Sequence, residues 1–220
     1  MIVVQCWDDG VTDDLKVMDV CRRHNAKATF NLNTGLHPAR RAVISKRPCG
    51  REVSKFGLDE LARVYQGFDI ANHGDFHKTA GKVPIGEWRA DVVDGKRKLE
   101  DIFGFQIRGF AYSCGGFNEE AKQVLRDVGH TYARTTVNSP RPFPPADPME
   151  LATHCHFMNA DFEKIYEKAK EDKCEVFYFW GHAYEMDTSE QLAEFERRIA
   201  MISADPSAVW AHVADLFERK

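Results

Sequence analysis

The chain has 220 residues, 43% of them hydrophobic and 29% charged, with a formal net charge of −4. That length supports one sizeable core and argues against two independent domains, so residues 1–220 are expected to fold as a single domain. The small net charge makes no electrostatic case for nucleic acid or an anionic membrane as partner, and no apolar run approaches the ~18 residues that a membrane span requires.

Six cysteines, Cys6, Cys21, Cys49, Cys114, Cys155 and Cys174, are scattered without a CxxC pair, which argues against a zinc ribbon or a thioredoxin-type site and for reduced thiols. The first strand begins at once, leaving no room for a signal peptide, so a cytoplasmic location is the expectation.

Ile2-Val3-Val4-Gln5-Cys6-Trp7 reads as a buried strand that runs into Asp8-Asp9-Gly10. Thr12-Asp13-Asp14 can start a helix with Leu15, Met18 and Cys21 along one face, and Ala28 to Leu32 reads as a second strand. The segment from Thr34 to Gly57, rich in Pro, Gly and Arg, reads as a long surface excursion, and its basic run from Arg40 to Lys55 as a solvated loop. A helix over Leu58 to Tyr65 precedes a strand over Phe68 to Ala71, which delivers Asn72-His73-Gly74-Asp75-Phe76-His77 at its end.

Pro84 opens a helix carrying Trp88, Val92, Leu99 and Phe103, and Ile107 to Tyr112 is the next strand. Asn118 can cap a helix that Gly129 ends, and Thr131 to Thr135 returns as a strand. After a proline-rich loop come a short strand over Leu151 to His156, a charged helix over Asp161 to Lys173, and a fully buried strand, Val176 to Trp180, that ends in Gly181-His182. A final helix pair, separated by a short strand near Val209, carries Leu192, Phe195, Ile199 and Ile202 on one stripe.

Alternating strands and helices predict an α/β fold with a parallel sheet and helices outside, and the strand count favours a deformed (β/α) barrel of about seven parallel strands, TIM-barrel-like. In such barrels the active site is built at the C-terminal rim of the strands. Asp8, Asp9, His73, His77, Arg108 and His182 all lie at such an end or on the strand that leads to one. His73 and His77, four residues apart, are spaced to bring two imidazoles to one side of a helical turn, which suits two ligands of one divalent metal. Asp9 adds an oxygen ligand and leaves positions open for water, and Asp8 is then free to act as general base. The plain alternative for Asp8-Asp9-Gly10 is a turn.

This ordered set resembles the polysaccharide deacetylases of the NodB-homology class, carbohydrate esterase family 4. Their Thr-Phe-Asp-Asp-Gly motif appears as Cys6 to Gly10, their His-x-x-x-His motif as His73 to His77, their arginine strand as Arg108 to Tyr112, and their terminal histidine motif as Trp180-Gly181-His182. The resemblance implies a metal, usually zinc with cobalt, nickel or manganese as alternatives, held by Asp9, His73 and His77. It implies Asp8 as base, His182 as the acid that protonates the leaving amine, Arg108 as the cation that orients Asp8, and the backbone N–H of Tyr112 as an oxyanion donor. The implied partner is a small-molecule or oligosaccharide substrate.

The chain departs from the family pattern at Ala111, where members usually carry proline, and at Ser113-Cys114. It also lacks the Asp-x-x-Asp-Trp motif that in many members supports the acid histidine. Leu151 to His156 occupies roughly that region, and if it is one strand, His154 and His156 share a face. Glu185 and Asp187 follow His182 closely enough to tune it. The expected activity is N-deacylation of an N-acylated carbohydrate. The rivals are a cyclic-amide or ureide hydrolase resembling allantoinases and a non-catalytic carbohydrate-binding relative.

Overall fold

The computed structural model describes residues 1–218. In chain order the elements are β1 (Ile2–Asp8), α1 (Asp14–Arg23), β2 (Thr29–Leu32), β3 (Ala42–Lys46), β4 (Glu52–Lys55), α2 (Leu61–Val64), β5 (Asp69–Asn72), α3 (Ile85–Phe103), β6 (Gly109–Ala111) and α4 (Glu119–Val128). They continue with β7 (Tyr132–Asn138), β8 (Leu151–Thr153), β9 (Cys155–His156), α5 (Phe162–Glu171), β10 (Val176–Gly181), α6 (Ser189–Ala204) and β11 (Val209–Trp210). The main sheet runs β8-β7-β6-β5-β2-β1-β10-β9, parallel throughout, with β11 added against the start of β1. Its two end strands are consecutive in the chain, separated only by His154, so the sheet curls into a nearly closed, deformed (β/α) barrel.

Alternation along β1 explains what the barrel holds. Val3 and Trp7 face the layer packed with α1, α5 and α6, while Val4 and Cys6 face a second cluster with Tyr132, Tyr178, Val213 and Leu216 inside the barrel. Asp8 continues the inner column, so the hydrophobic interior ends at a carboxylate. The segment after β11 plugs the other end: β11 pairs with Ile2 and Val3, and Ala211, Val213 and Leu216 join the interior cluster.

Helix boundaries follow local chemistry. Asn118 caps α4 by accepting from the Ala121 N–H at 2.9 Å, and Gly129 closes it in the left-handed conformation. At Gly95 of α3 an added Cβ would lie 2.6 Å from Asn72 Oδ1 and 2.9 Å from the Asp75 nitrogen, so only glycine lets α3 close on the loop after β5.

The excursion between β2 and α2 is more than a solvated loop. It forms the antiparallel hairpin β3–β4, and β4 docks against the turn after β1 through a Val11–Lys55 bridge and a bond from the Thr12 N–H to the Ser54 carbonyl. Val53, Lys55 and Phe56 are buried as a result. Sequence composition reported the exposed half of this segment and missed the anchored half. The expected strand over 151–156 is also split. His154 is buried with its backbone bonded to β10, while His156 projects toward the turn after β10, so the two imidazoles do not share a surface.

No helix among the described residues is long and apolar enough to cross a membrane, and the cysteines are all free, four of them buried and Cys49 and Cys114 exposed.

Candidate active site

Asp8 and Asp9 part company because the chain turns sharply between them. Asp9 and Gly10 both take positive φ, 83° and 66°, and a side chain at Gly10 would lie 2.7 Å from His37 Nε2. Glycine answers the close approach, and aspartate is among the residues that tolerate the left-handed region best. The outcome is two carboxylates in different settings: Asp8 is buried inside the barrel and Asp9 faces the rim.

Asp9 meets both histidines of the His-x-x-x-His motif. Its Oδ1 lies 3.8 Å from His73 Nε2 and 3.7 Å from His77 Nε2, and all three ligand atoms fall within 4.8 Å of one another. The two imidazoles are brought together without a helix, contrary to the helical-turn reading. Residues 73–77 form an irregular loop with Gly74 and His77 at positive φ. That loop is held from below by α3: Asp91 accepts from the N–H groups of Phe76 at 2.7 Å and Lys78 at 3.2 Å, and Asn72 donates to the Val92 carbonyl. Asp75 is tied down by Thr34 and Lys98.

The donor set fits a divalent cation. His73 Nδ1 lies 2.8 Å from the Ala111 carbonyl, so it carries the ring proton and leaves the Nε2 lone pair facing Asp9, an arrangement common to metal-bound histidines. Burial pushes the His73 imidazole down to about 4 against the opposing pull of Asp8 and Asp9, which keeps it neutral near pH 7. Burial raises the Asp9 carboxyl, but the surrounding histidines outweigh it and hold it below its usual range. Asn33 donates to Asp9 Oδ1 at 3.1 Å, Tyr184 to Oδ2 at 3.2 Å, and the buried Lys55 to the Asp9 carbonyl at 2.6 Å.

Asp8 is gripped by a different arginine from the one expected. Arg134 Nη2 donates to both Asp8 oxygens, Asn31 adds a bond of 2.6 Å, and the guanidinium stacks over Trp180 at 4.9 Å. Burial works against the Asp8 anion, yet Arg134, His73 and His182 win and hold its carboxyl far below the usual range. Arg108 precedes β6 at the N-terminal end of the barrel, is 41% exposed and pairs with Glu218, so it cannot orient Asp8. The sequence carried a signal for Arg134. Within the strand Tyr132-Ala133-Arg134, alternation puts Arg134 on the inner face with Tyr132, and a buried arginine needs an anion.

Tyr112 is a second correction. Its N–H donates to the Arg134 carbonyl at 3.0 Å as part of the sheet and is therefore unavailable to an oxyanion. The next two N–H groups, of Ser113 and Cys114, have no acceptor among the described residues, and the Ser113 hydroxyl donates to the His73 carbonyl, which seats this turn beside the histidine loop.

His182 arrives where the sequence placed it. Its Nε2 lies 3.9 Å from Asp8 Oδ2 and 4.0 Å from Asp9 Oδ2. Burial lowers its affinity for a proton, but Glu185 and Asp8 more than compensate and the imidazole is raised above its ordinary value. A cavity of about 480 Å³ opens beside Asp9 and His77, walled by Leu36, Ile44, Phe76 and Tyr184, a volume suited to a small ligand. The hairpin β3–β4 supplies much of that wall.

The sequence profile of the polysaccharide deacetylases matches residues 1–133, more than half of the chain. The chain belongs to the polysaccharide deacetylase family. Among solved structures, a family 4 acetyl xylan esterase from Clostridium thermocellum in complex with a cobalt ion superposes with a TM-score of 0.61 at 12% identity, covering 99% of this chain and 91% of that one. BA3943, a CE4 family pseudoenzyme from Bacillus anthracis, superposes at 0.62 with 14% identity over 98% of this chain and 65% of its own. The Streptococcus pyogenes deacetylase PplD in complex with acetate gives 0.51 at 20% identity over 61% of this chain, which spans only 55% of its length. No curated protein matches the chain. These likenesses show the fold alone, a deformed (β/α) barrel.

Proposed function

We propose that the protein is a metal-dependent hydrolase of a C–N amide bond that removes the acyl group from an N-acylated carbohydrate. The observation that carries this reading is the convergence of Asp9, His73 and His77, with the right tautomer at His73, beside a separate ion-paired Asp8 and a solvent-reachable His182. A divalent ion bound by the first three would act as a Lewis acid and acidify a water, which matters here because Asp8 is ionised but weakly basic.

Hydrolysis adds water across the acyl C–N bond, so one proton must leave the attacking water and one must reach the departing nitrogen. Asp8, kept ionised by Arg134, takes the first. His182 delivers the second, from a position within 4.0 Å of both carboxylates. Negative charge that develops on the acyl oxygen needs donors aimed at it, and the free N–H groups of Ser113 and Cys114 are those on offer beside His73.

The test is acetate release from a panel of N-acetylated amino sugars by zinc- or cobalt-loaded protein, with cyclic imides run in parallel. Turnover of the amino sugars is the expected result. Turnover of the imides alone would transfer the chain to the cyclic-amide hydrolases, and silence on both would make it a binding relative. Replacement of His182 by Ala should cost about 10²- to 10⁴-fold on the amide and far less on an activated acetyl ester, whose leaving group departs without a proton. Equal losses on matched substrates would remove His182 from the acid role.

A further inference from the structure

A second group of ligand-type side chains lies next to the first: His156 at the end of β9, with His182 and Glu185 in and before the turn after β10. They form a connected unit around one oxygen. Glu185 Oε2 accepts from the His182 backbone N–H at 3.0 Å, lies 2.8 Å from His156 Nε2 and 3.4 Å from His182 Nδ1. The Nδ1 atom of His182 is buried and completes no hydrogen bond among the described residues; the Glu185 carboxylate, at ion-pair distance, is the charged group beside it.

The unit has the spacing of a metal triad, but the proton inventory assigns it another role. His156 Nδ1 accepts from the Met158 N–H at 3.3 Å, so its proton sits on Nε2 and points at Glu185. A cation at that Nε2 would require the proton on Nδ1, against an N–H that already donates there. With His156 donating, the Glu185 carboxylate is fixed at two points, the His156 ring and the His182 main chain. Its remaining neighbour is His182 Nδ1. An anion in that place demands a proton on Nδ1, which leaves Nε2 as the atom that exchanges protons on the side of Asp8 and Asp9. Trp180 and Tyr184, with ring centroids 5.5 Å and 5.0 Å from that of His182, flank the imidazole.

We infer that Glu185, anchored by His156, is the positioning residue that sets the tautomer and ring orientation of His182. This rests on the reading of His182 as the acid for its effect on turnover, but the tautomer itself does not. The support comes from within the same turn, three residues beyond the histidine, and from the neighbouring strand.

The experiment uses the full chain loaded with zinc. The His182 ring tautomer is read from its ¹⁵N shifts, zinc content is measured, and kcat is compared on a matched N-acetyl amide and activated acetyl ester. Wild type should show the Nδ1–H form. Glu185→Ala should lose that preference, keep close to one zinc, and lower kcat on the amide by about 10²-fold with little change in KM and a smaller loss on the ester. His156→Leu should cost about 10-fold on the amide and His156→Gln, which can still donate to Glu185, should recover most of it. An unchanged tautomer in Glu185→Ala, or equal losses on both substrates with the tautomer unchanged, would overturn the inference. So would a second zinc in wild type that Glu185→Ala removes. If the tautomer follows Glu185 while His182→Ala leaves turnover intact, the positioning stands and the acid assignment falls.

Discussion

Asp8→Asn should lower kcat by about 10²- to 10⁴-fold while metal content stays near wild type. The amide has the shape of the carboxylate and can still take the Asn31 bond, but it cannot accept a proton from water. Metal should stay because its three proposed ligands lie outside this pair: Asp9 is held by Asn33, Tyr184 and Lys55, and His73 by the Ala111 carbonyl. The substitution also strands the Arg134 charge, so unfolding should be followed in the same preparation and rates taken well below the transition. Metal lost together with activity would mean that Asp8 is itself a ligand. Activity kept at the wild-type level would move the base elsewhere.

Arg134→Met should be the most destabilising single change at the site, by about 3–5 kcal/mol, because it leaves the Asp8 carboxylate buried without its cation. Both groups are almost fully buried, at 1% and 3% side-chain exposure, so solvent offers little relief. The lost cation also lets Asp8 regain affinity for a proton, and its placement beneath the metal ligands relaxes, so kcat should fall in protein that remains folded. Arg108→Met is the control. An exposed pair with Glu218 is worth little, and a change within about 0.5 kcal/mol and full activity are expected. Chemical denaturation of the two variants side by side decides between the arginines. A mild Arg134 phenotype beside a severe Arg108 one would reverse the assignment made from the geometry.

Much of the fold could be read from residues because local rules agreed with the global one. The β-branched run from Ile2 to Val4, the Asn118 cap with its Gly129 stop, and the apolar run over Val176 to Phe179 each admit one answer, and the structure has a strand, a helix and a strand there. The metal-type cluster was legible because Asp9 and His73 sit directly after strands that a barrel must bring to one rim, with His77 four residues beyond His73.

Other parts depended on contacts between distant segments. Reading Arg108 as the partner of Asp8 followed the order of motifs along the chain, whereas inward alternation on β7 delivers Arg134. The family resemblance implies the Tyr112 N–H as an oxyanion donor, whereas the pairing of β6 with β7 consumes it. Lys55 sat in a basic run that composition called solvent-facing, and only docking of β4 onto the Asp9 turn buries it. Tyr184 meets Asp9 only through the turn after β10, and His156 meets Glu185 from a strand broken at His154, contacts that periodicity does not encode.

Zinc content of the reconstituted protein tests the central claim most directly, because every step assigned above presumes that Asp9, His73 and His77 act together on one cation. Wild type dialysed against zinc and then against buffer should retain close to one ion per chain by elemental analysis. His73→Ala and His77→Ala should each retain almost none while keeping the native circular-dichroism spectrum. Wild-type zinc occupancy in both variants, or folded wild type that binds no divalent metal at all, would contradict the account.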